Sequence, residues 1–157
     1  MLTALDKKDW NPTLAAHLLN RAGFGADPAR IAAAAARPPA DVVDELLDFD
    51  SAPAAEPPTW LADPDIAARP NRPALRNLPE EERQKIQREM RQKEGERMAE
   101  LRAWWLYRMR YSKHPLQEKL TLFWHGHFAT SMEKVRSSYC LYQQNQTFRR
   151  LAAGSWP

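Results

Sequence analysis

The sequence predicts an all-α protein, an irregular multi-helix array interrupted by one long proline-rich connection. Three observations predict it. Apolar residues recur at i, i+3, i+4 and i+7 in successive segments. Those segments open on Asn-Pro, Asp-Pro or an acidic turn, and several close on glycine. No stretch alternates apolar and polar residues with the period of two of a half-buried strand, and no internal repeat is present.

The elements follow in order. Asn11-Pro12 supplies an N-cap and a first helical proline, and Leu14, Ala15, Leu18, Leu19 and Ala22 line one face up to Gly23. Phe24, between Gly23 and Gly25, reads as a buried anchor in a tight turn. Asp27-Pro28 opens a second, alanine-rich helix to Ala36. After Pro38-Pro39, Val42, Val43, Leu46 and Leu47 mark a third. Residues 1–48 are thus a helical unit. Residues 49–78 hold six prolines and no sustained period, a poorly regular connection that Trp60 is expected to pin.

Residues 79–154 are helical again. Pro79-Glu80-Glu81-Glu82 is an acidic first turn, favourable against the helix dipole. That helix should reach Tyr111, polar nearly all round at first, then buried at Leu101, Trp104, Trp105, Leu106 and Met109. His114-Pro115 opens the next, expected to break at Gly126. Thr130 and Glu133 stand at capping-box spacing. The last helix, Ser138 to Ala153, carries Tyr142, Phe148 and Leu151 with nothing obvious to cover them, which suggests a fragment of a larger helical domain and an isolated chain prone to associate.

Composition bounds the function. The 157 residues are 43% hydrophobic and 27% charged, enough for one domain with a core. The single cysteine, Cys140, forms no internal disulfide and reads as a small buried apolar residue. Asp6, Lys7, Lys8 and Asp9 replace the apolar stretch of a secretory leader, and no run is long enough to span a bilayer, so a cytoplasmic location is expected. From residue 101 onward, nine lysines and arginines face only Glu118 and Glu133, and 11 of the 15 aromatics lie there. Interleaved basic and aromatic residues suit nucleic acid, but no nucleic-acid motif is present and packing against an acidic segment explains the bias more simply.

The candidate chemistry lies in Phe123-Trp124-His125-Gly126-His127-Phe128. Two imidazoles two residues apart can share a metal or act as proton donor and acceptor. In an unbroken helix such residues point about 200° apart, so a break at Gly126 is what would let His127 swing toward His125. Zinc or another divalent transition metal would then be held by His125 and His127, with Glu118 or Glu133 as carboxylate ligand or general base. The simpler reading has both imidazoles donating to backbone carbonyls in an aromatic turn. Gln143, Gln144 and Asn145 form either a buried amide network or a surface stripe. No serine nucleophile motif and no phosphate-binding glycine loop is present.

The same residues resemble a known family. Leu14-Ala15-Ala16-His17-Leu18-Leu19-Asn20-Arg21-Ala22-Gly23-Phe24-Gly25 is similar to the opening motif of the DUF1800 family of uncharacterised bacterial proteins. The run Glu118 to Ser131 resembles its central signature, continued by Lys134-Val135-Arg136, Tyr142 to Gln146 and Phe148-Arg149-Arg150. The resemblance implies no established activity. It implies a longer chain, of which these residues are the N-terminal portion and the remainder a partner. It also implies an envelope or secretion setting, beside an alkaline-phosphatase-like protein encoded nearby, with a periplasmic or envelope-associated location as the alternative. Two functions follow as expectations: a helical scaffold or binding module, and, as the alternative, a metal-assisted hydrolytic enzyme.

Overall fold

A computed structural model of the chain describes residues 5, 7–49, 56–67, 77–128 and 130–154. Among them are seven α-helices and no strand: α1 (Pro12–Ala22), α2 (Pro28–Ala35), α3 (Pro39–Leu47), α4 (Glu80–Tyr111), α5 (Pro115–His127), α6 (Met132–Val135) and α7 (Ser138–Leu151). The fold class is all-α, as predicted, and no helix among the described residues is long and apolar enough to cross a membrane.

The first core is built by α1, α2 and α3. Asn11 Oδ1 accepts from the Thr13 and Leu14 amides at 3.0 and 3.1 Å, and Asp27 Oδ1 from the Arg30 amide at 2.7 Å. Both are the side-chain caps the sequence indicates. Ala15, Leu19, Ala22, Ala34, Val42 and Leu46 bury against one another, with Leu116 of α5 alongside. Small residues let the backbones approach: Trp10 Nε1 donates to the Ala34 carbonyl at 3.3 Å, and a Cβ on Gly23 would meet Pro115 at 3.1 Å. Lys119 of α5 donates to the carbonyls of Asn20 and Gly23 at 3.0 and 2.6 Å, satisfying the last turn of α1.

The connection is pinned as expected. A 3-10 turn, Thr59–Ala62, sits on α4 through the Thr59 amide and Glu100 Oε1 at 2.5 Å. Trp60 buries with Leu101 and Leu141 and meets the Tyr142 ring edge-on at 6.1 Å. The expected irregularity of residues 50–55 and 68–76 lies outside the described residues. At 32 residues, α4 is about 48 Å long. Its polar first half is tied down where Arg97 bridges Asp63 and Glu94 at 2.8 and 3.1 Å.

Several local expectations change. Leu106 is 64% exposed, because Leu101, Trp105 and Arg108 share the inward face and Leu106 falls outside it. Phe24 is exposed, with the Lys119 ammonium 5.9 Å above its ring rather than a core around it. Cys140 is exposed as well. The last helix is covered: Leu141, Asn145, Phe148 and Arg149 are buried on its inner side, and α7 packs on α4, α5 and α6. It ends at Leu151, two residues short of the predicted end. The capping box is not formed. Ser131, not Thr130, is the N-cap of α6 and makes no side-chain cap, while Thr130 Oγ1 accepts from Gln144 Nε2 at 2.6 Å.

Candidate functional site

The site is the junction of α4, α5 and α7, and the sequence of α5 places it there. Pro115 starts the helix, and Gln117, Glu118 and Thr121 form its buried stripe. Thr121 Oγ1 donates back to the Gln117 carbonyl at 2.7 Å. Glu118, Thr121 and Ser138 are the largest fully buried side chains among the described residues.

A carboxylate with no exposure needs compensation, and Glu118 receives it from two other helices. Its Oε1 accepts from Arg108 Nε and Arg149 Nε, each at 2.8 Å. Its Oε2 accepts from Arg149 Nη2 at 2.9 Å and Trp105 Nε1 at 3.1 Å. The Arg149 contact is therefore a two-pronged fork, the strongest geometry for this pair. Both guanidinium carbons also stand over the Trp104 ring, at 5.4 and 5.2 Å. Gln146 Oε1 accepts from the third Arg149 guanidinium nitrogen, Nη1, at 2.7 Å, and Gln117 Nε2 donates to the Arg149 carbonyl at 3.4 Å. Burial alone pushes the Glu118 carboxyl up; the hydrogen bonds and charges of Arg149 and then Arg108 outweigh it and hold the group below its ordinary range.

The residues predicted to carry the chemistry do not converge. Helix α5 runs through Gly126 to His127 without the expected break, so the two imidazoles stay on different faces. His125 is half-buried, 5.2 Å from the Trp105 ring and edge-on to Phe148 at 6.3 Å. Burial lowers its pKa and favours the neutral ring. His127 is exposed and stacked on Phe123 at 6.1 Å. Glu118 faces its arginines, and Glu133 is exposed on α6, where its backbone carbonyl accepts from Arg136 Nε. Among the described residues, no group of three or more His, Cys, Asp or Glu could hold a metal ion.

Arg108, Arg149 and Trp105 are the members the sequence reading missed as partners of Glu118. A signal for Arg108 existed: it stands seven residues after Leu101, in register with the apolar face, whereas Arg102 and Arg110 fall off it. The amides of the glutamine run do not bond to one another: Gln144 donates to Thr130 and Gln146 to Tyr142, Asn145 is buried with its Oδ1 unpartnered among the described residues, and Gln143 is exposed.

The described residues form an all-α array closed by a buried Arg-Glu-Arg joint. The family model described as "Protein of unknown function (DUF1800)" matches residues 17–157, and the chain belongs to that family. No curated protein and no solved structure matches it significantly.

Proposed function

We propose that this chain is a helical scaffold or binding module whose signature serves first to lock α5 between α4 and α7. One observation carries the reading: all four hydrogen bonds that Glu118 accepts come from Trp105, Arg108 and Arg149, leaving its carboxylate committed to structure. A general base or a metal ligand needs a lone pair turned toward substrate or ion. The envelope or secretion setting, and an alkaline-phosphatase-like partner, rest on the family resemblance.

Metal-assisted hydrolysis is the second reading. It draws on the half-buried His125, whose neutral ring is the form a metal takes. The test is metal analysis of the purified protein and of a His125→Ala, His127→Ala double variant. The scaffold reading expects no stoichiometric metal and a melting temperature indifferent to chelator. Stoichiometric zinc that disappears in the double variant overturns it in favour of the enzyme.

A further inference from the structure

Two guanidinium groups share one carboxylate at the α4–α5–α7 junction, so this buried cluster carries one surplus positive charge. A charge taken out of water is costly unless a counter-charge reaches it. The surplus is not evenly shared. Arg149 commits Nε and Nη2 to Glu118 and Nη1 to Gln146. Arg108 commits only Nε. Its two terminal nitrogens make no hydrogen bond to any described residue, and neither is among the sealed interior atoms. Yet Arg108 as a whole is only 8% exposed, held on one edge by Glu118 and on its face by Trp104.

We propose that Arg108 offers this Nη1/Nη2 edge as a binding subsite for a carboxylate. The proposal rests on the binding-module reading and names what the module binds. The planar fork of a guanidinium matches two oxygens of one carboxylate, and this fork is already immobilised and largely desolvated, so little ordering is left to complete on binding. Charge selects the ligand class. A singly charged carboxylate brings the cluster to neutrality, whereas a phosphate dianion overshoots by one. The carboxylate comes either from a small organic acid or from an acidic side chain or C-terminus of a protein.

The Trp105 indole N–H, bonded to the same Glu118, is a natural reporter of the site. The full chain is titrated with sodium acetate, sodium chloride at matched ionic strength, inorganic phosphate, and a short peptide with a free C-terminal carboxylate, following indole and arginine Nε resonances by NMR. The expected result is a saturable shift with acetate, absent with chloride, and weakened at least tenfold in folded Arg108→Lys. A peptide binding more tightly than acetate assigns the site to a protein carboxylate; equal binding assigns it to small acids. A shift that tracks ionic strength alone, phosphate binding more tightly than acetate, or acetate binding undiminished in folded Arg108→Lys overturns the proposal. If that variant does not fold, the wild-type titrations decide it. Failure here leaves the metal analysis untouched, so the two readings fail separately.

Discussion

Replacing Glu118 with glutamine changes one atom and removes one charge, and it tests the buried joint directly. The carboxylate accepts four hydrogen bonds from three side chains and has no exposure. Glutamine keeps one acceptor oxygen. Its NH2 group must face either the two guanidinium Nε donors or the Arg149 Nη2 and Trp105 Nε1 pair, so at least two donors lose their acceptor whichever way the amide turns. Two buried arginines are then left without a counter-charge. Removing one partner of a buried ion pair costs about 3–5 kcal/mol. Against a total stability of about 5–15 kcal/mol for a domain, that is a large share. At about 2–4 °C per kcal/mol for a chain of this length, the melting temperature of Glu118→Gln falls by about 6–20 °C. Urea unfolding followed by circular dichroism, with unchanged slope, gives the free energy. A loss under about 1 kcal/mol refutes the reasoning. Replacing all three charged residues together with apolar ones of similar volume should recover most of the loss, since what destabilises the single variant is the orphaned charge.

Stability should also fall in acid, in two stages. The folded-state pKa of His125 is lowered, so its contribution is present above the unfolded value of about 6.5 and is lost as pH falls through the folded one. Glu118, also lowered, loses its contribution only below the unfolded carboxylate value of about 4.3; melts between pH 3 and 8 should show both limbs, and His125→Gln should flatten the upper one. Gly126→Ala should stabilise the chain by about 0.5–1 kcal/mol, because the position is inside a helix and a Cβ there meets nothing within 4 Å; a destabilised variant would reinstate the glycine break. Lys119→Met should cost about 1–2 kcal/mol in urea melts by freeing the last turn of α1, and no loss would show that the two carbonyls are satisfied without it.

The sequence made the helices readable because their signals are local. Asn11-Pro12 and Asp27-Pro28 carry their caps within three residues, and the apolar stripes of α1 and α3 need no knowledge of a partner. What it did not show depends on distance or context. Glu118 stands out in the sequence as a chemical group, but its arginine partners stand ten residues earlier and thirty-one later, and no periodicity links them. Gly126 carries a breaking signal that α5 overrides, with Trp124 Nε1 reaching the Ala152 carbonyl at 3.1 Å to hold the helix against α7. Leu106 and Phe148 exchanged their expected environments for one reason: which face a helix buries is set by its neighbours, and hydrophobicity alone does not name them.

The Glu118 joint also bears on the order in which the chain can be assembled. Arg108 precedes Glu118 and is available as soon as α4 and α5 exist, but the forked contact comes from Arg149, near the end of α7. During synthesis, the carboxylate therefore cannot be fully enclosed until thirty-one further residues have emerged. A chain that stops before Arg149 lacks the fork and leaves the Glu118 carboxylate with Trp105 and Arg108 alone.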